Sequence, residues 1–321
     1  MAGERLSEVK VAVVGVGHFG RLHAEKYRSL PGVRLLGVVD PDRERGVAVA
    51  GPLGVEAFTQ LDQIIGKADA VSVAVPTRAH FDVASACLKA GIHCLIEKPI
   101  AETVEQAASL VKLAKDRNRI LQVGHLVRFD AAREAMTGVI DRPMFIECHR
   151  IAPFKPRGTD VSVILDLMIH DIDLVLDLVG RPIVDLDAVG VPVLGDNEDI
   201  ANARLVFEGG CVANVTASRI SMKSERTLRL FQKSGYGRVD FIKRKFTWIK
   251  RGGPVVDGFP NFQIEERDLP ETDPLKLEIA SFVDCVRSGK APLVDGEAGL
   301  RALEAALRIT RALQDWAGKV G

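Results

Sequence analysis

Paired cysteines, aromatic rings, net charge and long apolar runs are all scarce in this sequence, and each scarcity removes a class of function. The five cysteines, Cys87, Cys94, Cys148, Cys211 and Cys285, are scattered with no C-x-x-C spacing. Neither a zinc knuckle nor a dithiol redox pair is therefore expected, and no metal is assigned. Reduced, packed thiols in a cytoplasmic protein are the default reading. Two Trp and two Tyr leave few rings for stacking nucleic-acid bases. Lys plus Arg number 43 and Asp plus Glu number 43, a formal net charge of zero, so no general attraction to nucleic acid or anionic membrane is expected. No apolar run approaches the ~18 residues of a membrane span. The opening MAGERLSEVK mixes acid and base and runs into a strand, so no secretion signal is expected there.

What the chain does have is ample apolar material, 47% of 321 residues, enough for one large or two ordinary domains. Residues 9–17, 33–40, 68–76, 93–99 and 119–125 are short β-rich runs, mostly apolar throughout and often ending in Gly, Asp or Pro. Strands apolar on both faces suit a parallel sheet covered by helices. Helical stretches His18 to Leu30, Ala79 to Ala90 and Val104 to Lys115 lie between them, with Thr103 a cap and Gly91 a stop. Alternating strands and crossover helices imply a doubly wound α/β sheet. The rhythm then changes. A long connection with Pro143, Pro153 and Pro156 leads to an apolar helix over 162–179, and several turn-punctuated strand runs follow. Gly209-Gly210 reads as a hairpin turn, and helices return at 274–288 and 296–316. The expectation is a nucleotide-binding domain over 1–125 and an α+β domain with a mixed or antiparallel sheet over 126–321. The last helix would pack back on either.

Gly15-Val16-Gly17-His18-Phe19-Gly20 stands where the first strand turns into the first helix. Glycines at that spacing allow a tight turn, close approach of backbone to a pyrophosphate, and close helix-on-strand packing. The diphosphate then lies on free N–H groups at the helix N-terminus. Asp40, twenty residues past Gly20 at the end of the second strand, can accept from both ribose hydroxyls and would repel a 2′-phosphate. NAD is preferred over NADP on that ground, although Arg43 and Arg45 stand close by.

Nicotinamide chemistry also needs a group that moves a proton at the reacting oxygen. In such sheets the site lies beyond the carboxyl ends of the strands. One strand ends Ala74-Val75-Pro76-Thr77 with His80 a turn later, and another ends Glu97-Lys98-Pro99. Pro76, Thr77, His80 and Glu97 are placed at the cofactor, and Lys98 at the reacting oxygen. A cis Lys98–Pro99 bond is expected, since a tight kink would aim the lysine into the cleft. In the helix over 162–179, Asp166, His170, Asp173 and Asp177 share one stripe at 100° per residue. Asp166 and His170, at i and i+4, are spaced for the carboxylate to orient the imidazole.

Gly15-x-Gly17-x-x-Gly20, Ala74-Val75-Pro76-Thr77-x-x-His80, Ala90 through Glu97-Lys98-Pro99, and Asp166-x-x-x-His170 together resemble the Gfo/Idh/MocA oxidoreductases. The resemblance implies a Rossmann domain joined to a domain with a large open sheet, used for homo-oligomer packing as a dimer or tetramer. It also implies NAD(P)-dependent oxidation of pyranosides or polyols, with Lys98, Asp166 and His170 as the active site. The family usually carries Gly-Gly shortly before that aspartate, where this chain has Val163-Ile164. Three further segments, around 149–160, 161–179 and 198–219, are similar to UDP-N-acetylglucosamine 3-dehydrogenases. That narrower likeness implies a nucleotide-linked sugar substrate oxidised at C3, with Arg150, Lys155, Arg157, Arg219 and Arg128 as candidate cations for its diphosphate. A free polyol such as an inositol, or another sugar, is the alternative substrate. A non-catalytic NAD-sensing protein is the alternative function.

Overall fold

The apolar runs of the first 125 residues become strands of one sheet. A computed structural model describes residues 8–154, 161–253 and 261–320. In chain order, β1 (Val9–Val14), α1 (His18–Ser29), β2 (Val33–Val39), α2 (Arg43–Leu53) and β3 (Glu56–Phe58) are followed by β4 (Ala70–Val73), α3 (Thr77–Lys89), β5 (His93–Glu97), α4 (Val104–Asp116) and β6 (Leu121–Gly124). The sheet order is β3-β2-β1-β4-β5-β6 and every pairing is parallel. β4 is buried along its whole length and β1 at every position but Lys10, which explains the continuous apolar runs. Thr103 caps α4 as expected, its side chain accepting from Gln106 N. Two elements escape sequence reading. α2, RERGVAVAGPL, carries two glycines and Pro52 and shows little amphipathic pattern, and β3 has only three residues.

Beyond Phe129 come α5 (Ala131–Met136), β7 (Phe145–Ile151), a π-helical turn (Ile164–Met168), α6 (Ile169–Val179) and the strands β8 (Ile183–Val191), β9 (Ile200–Phe207), β10 (Val212–Ser218), β11 (Glu225–Gln232), β12 (Gly235–Asp240), β13 (Lys245–Arg251) and β14 (Phe262–Asp268). They form a mixed eight-stranded sheet ordered β14-β13-β12-β11-β7-β10-β9-β8. Only β7 with β10 is parallel. The sequence reads 143–156 as a connection, but β7 sits inside the sheet. Its apolar residues alternate, with Ile146 and Cys148 buried and Glu147 and His149 outward, and prolines on both flanks hide the pattern. The Gly209-Gly210 hairpin is present, both residues at positive φ (89° and 87°) and Gly210 N donating to Phe207 O at 3.0 Å.

α7 (Pro274–Ser288) and α8 (Gly296–Val320) close the chain. The compact units are Met1–Phe129 with Asp273–Leu303, and Asp130–Thr272 with Glu304–Gly321. A single cut at 125 is thereby corrected: α7 returns to the first unit. Leu275, Ile279, Phe282, Val283 and Val286 join the core cluster that contains Val9, Val11, Ala24 and Tyr27. Burying each large apolar side chain there contributes roughly 1.5–3 kcal/mol, which outweighs sequence distance. No helix of the described residues is long and apolar enough to cross a membrane.

Candidate active site

The glycine turn of the first unit is a close fit of backbone on backbone. Gly15 has φ +83°, and a Cβ there would lie 2.7 Å from Val75 N. A Cβ on Gly20 would collide with Gly15 O, so that glycine sets how closely α1 approaches the turn. Gly17, the N-cap of α1, has open space around it and no side-chain cap. The first amides of α1 are therefore left for an external acceptor, with a dipole that favours an anion. His18 is exposed and Phe19 is 42% exposed, their rings stacked edge to face at 5.4 Å. This cradle, which side chains would fill, fits a dinucleotide.

Asp40 ends β2 with 2% exposure. Its Oδ2 accepts from Val16 N at 2.9 Å and its Oδ1 from Asp42 N at 3.0 Å, so the carboxylate already tethers the glycine turn. Arg45, on α2, reaches the same carboxylate with Nη1 3.4 Å from Oδ1. Pro76 is exposed, and Thr77 opens α3.

Two residues expected at the cofactor turn inward instead. His80 is 1% exposed, with Nδ1 2.8 Å from Pro99 O and Nε2 2.9 Å from Val75 O. A neutral ring can donate to only one of them. Burial lowers its pKa against the pull of both carbonyls. The imidazole thus staples the end of β4 to the residue after Lys98. Glu97 turns its Oε1 to His23 Nε2 at 2.7 Å. Burial raises the Glu97 pKa, but the His23 hydrogen bond, with Lys98 adjacent, holds it below the usual carboxylate value. Lys98 itself is half-buried at the strand end, and the Lys98–Pro99 peptide is cis, as expected. Arg128 ends a short 3-10 turn, Leu126–Phe129, and is 6% exposed.

In the second unit Asp166 lies inside the π-helical turn, where Ile169 N donates back five residues to Ile164 O, and His170 follows in the first turn of α6. The extra residue breaks the uniform 100° phase assumed from sequence. Asp166, His170 and Asp177 are half-buried, but Asp173 is 1% exposed and belongs to the core. Asp177 accepts from Arg133 Nε at 3.1 Å. Asp171, outside the expected stripe, receives two bonds from Arg150, Nε and Nη2 each at 2.7 Å. Arg150 is therefore tied to α6 as a bidentate pair.

Across the β7–β11 ladder, Arg226 stands directly opposite Arg150. Its guanidinium lies 4.4 Å from the Phe241 ring, and its buried Nε has no hydrogen-bond partner among the described residues. Burial first, then the Arg150 charge, pulls its pKa down to about 10, still cationic at neutral pH. Sequence reasoning missed Arg226, because its meaning depends on β7 being a strand at all. Arg219, 6% exposed, donates from Nε to Asp199 Oδ1 at 2.8 Å and from Nη1 to Val161 O at 2.6 Å. Asp199 also accepts from Leu194 N at 2.7 Å, so Arg219 helps fold a local loop. Lys155 and Arg157 lie outside the described residues.

Comparison with known proteins places these features in context. A model described as "Oxidoreductase family, NAD-binding Rossmann fold" matches residues 9–125, and the GFO/IDH/MocA C-terminal domain matches residues 129–236. The UDP-N-acetylglucosamine 3-dehydrogenase of Acidithiobacillus ferrooxidans is 40% identical over 310 residues, 95% of this chain and 97% of that protein. A crystal form of that enzyme superposes with TM-score 0.91 at 39% identity, covering 96% of this chain and 98% of that one. The scyllo-inositol 2-dehydrogenase (NAD(+)) of Bacillus subtilis is 26% identical, covering 96% of this chain and 95% of that protein.

Proposed function

This chain belongs to the Gfo/Idh/MocA oxidoreductase family, and from that premise we propose that it oxidises the C3 hydroxyl of UDP-N-acetylglucosamine to a ketone with NAD. The observation that carries the reading is the full-length likeness to an enzyme of that name, 40% identical over 95% of this chain. Arg226 supports it independently. A half-buried cation whose neighbour Arg150 already holds Asp171 suits an anionic substrate better than a neutral cyclitol.

NAD, when bound, supplies the acceptor for the hydride that leaves the sugar carbon. The glycine turn and the first amides of α1 hold its diphosphate, and Asp40 at its ribose disfavours a 2′-phosphate. His170, oriented by Asp166, takes the proton of the sugar hydroxyl. Lys98 donates to the same oxygen and stabilises the charge that develops on it. Arg226 takes the nucleotide diphosphate, with Arg150 lending its charge while anchored to Asp171. The active form is a homo-oligomer assembled through the second unit's sheet. All five cysteines are buried and unbridged, which supports a reducing compartment such as the cytoplasm.

The test is substrate profiling: UDP-hexosamines against free cyclitols, followed by NADH absorbance, with mass spectrometry for a 3-keto sugar nucleotide. Faster turnover of an inositol would transfer the assignment to a polyol dehydrogenase. Lys98→Met and His170→Asn should each lose at least roughly 10²-fold in kcat while still binding NAD, as removal of acid–base groups does. Full activity in either variant removes that residue from the mechanism.

A further inference from the structure

Behind the strand end that carries Lys98 lies a cluster that no step above uses. α1 contributes His23 and Tyr27, β4 contributes Ser72, β5 contributes Glu97, and α7 contributes Glu278. His23, Tyr27 and Ser72 are fully buried, as is Glu278, and Glu97 is 8% exposed. Tyr27 Oη lies 2.8 Å from Ser72 Oγ, Ser72 Oγ lies 2.9 Å from His23 Nδ1, and His23 Nε2 lies 2.7 Å from Glu97 Oε1. Ligating atoms of His23, Glu97 and Glu278 all fall within 4.8 Å of one another. Neither carboxyl oxygen of Glu278 has a hydrogen-bond partner among the described residues, although its backbone O accepts from Gln122 Nε2 at 3.1 Å.

One arrangement that gives every short contact a single hydrogen also leaves Glu97 ionised. Tyr27 O–H donates to Ser72, Ser72 O–H donates to His23 Nδ1, and His23 Nε2–H donates to Glu97. Glu97 is then a carboxylate that accepts from His23 and is attracted to the adjacent Lys98 ammonium. A second ionised carboxyl at this distance, dry and without a cation, would repel Glu97 and compete for the His23 proton. Burial first, then the Glu97 charge, accordingly pushes the Glu278 pKa well up.

We propose that His23 and Glu278 are positioning residues for Lys98: His23 fixes the Glu97 carboxylate by donating to it, and Glu278 stays a neutral acid so that Glu97 holds the single negative charge of the cluster. The proposal rests on the reading of Lys98 as a catalytic group. Its protonation half is tested without any turnover.

In an infrared difference spectrum of wild type minus Glu278→Gln at pH 7, a protonated-carboxyl stretch should be present in wild type and lost in the variant. Only a carboxylate signal there would overturn the neutral-acid assignment, whatever the enzyme's substrate proves to be. In turnover, His23→Leu should lower kcat about tenfold or more, with the sugar KM and the NAD Kd unchanged. His23→Gln, which can still donate to Glu97, should recover most of that loss, and Glu278→Gln should stay within about twofold of wild type. Where His23→Leu fails to fold, Ser72→Ala removes the other bond to the ring, and its kcat should fall several-fold at unchanged KM. A wild-type kcat in whichever of these two variants folds overturns the positioning role, as does a Glu278→Gln loss as large as that of His23→Leu. An equimolar divalent metal in the purified protein would also overturn it, because three ligating groups would then hold an ion instead of a shared set of protons.

Discussion

In the first unit two carboxyls, Glu97 and Glu278, gather round one imidazole. In the second, two guanidiniums, Arg150 and Arg226, gather round one carboxylate, Asp171. Each cluster brings like charges together, yet chemistry gives them different ways out. A buried carboxyl in excess keeps its proton and becomes neutral, and the Glu278 pKa moves up in that sense. A guanidinium in excess cannot follow, since even a pKa of about 10 leaves Arg226 charged at pH 7. An acidic surplus can therefore end as silent internal scaffolding. Paired arginines stay charged and remain open to an anion from outside.

The sharpest way to break this contrast is Asp171→Asn. It removes the bidentate partner of the half-buried Arg150, and breaking a buried pair of this kind costs up to about 3–5 kcal/mol. Urea unfolding followed by circular dichroism should show the drop, and an unchanged midpoint would mean that Arg150 finds another anion. A smaller, more selective effect is expected from Arg226→Met. Losing hydrogen bonds to a charged ligand is worth about 1.5–3 kcal/mol, so KM for a UDP-sugar should rise roughly tenfold or more. KM for NAD and folding stability should hold, and a general loss of stability instead would make Arg226 structural. The smallest effect, informative through its sign, is the pH dependence of stability in Glu278→Gln. A carboxyl whose folded pKa is raised contributes fully below its unfolded value of 4.5, and that contribution is lost as pH rises toward the folded value. The Gln variant should therefore gain on wild type as pH climbs from 5 to 8 in thermal melts. A gap that is constant or narrows would place the Glu278 proton elsewhere.

Legibility from sequence followed the range of the interactions involved. The glycine turn, Asp40 at the end of β2 and the β5 end with its cis proline depend on neighbours in sequence, and their positions could be read directly. The α7 bounds, Pro274–Ser288, coincide with the expected 274–288 because Asp273 caps it, accepting from Lys276 N, and Gly289 ends it. The directions of His80 and Glu97 could not be read. Each sits beside the cofactor motif in sequence, yet is turned inward by a partner from elsewhere: Pro99 O for His80, and His23 from α1 for Glu97. On the stripe, the π-turn alters only the phase of Asp166 against His170, Asp173 and Asp177, which share regular α6, and the burial of Asp173 was set by packing that no spacing reveals.

The sequence by itself determined the parallel sheet and the nucleotide cradle. These follow from apolar periodicity and from glycine stereochemistry, which act over a few residues. Only the tertiary structure decided that α7 belongs to the first unit's core, that β7 is an inner strand, and which charged side chains are left over after pairing. Those outcomes depend on which surfaces bury each other and which charges then meet in a dry interior, and a linear chain does not encode them at any fixed spacing.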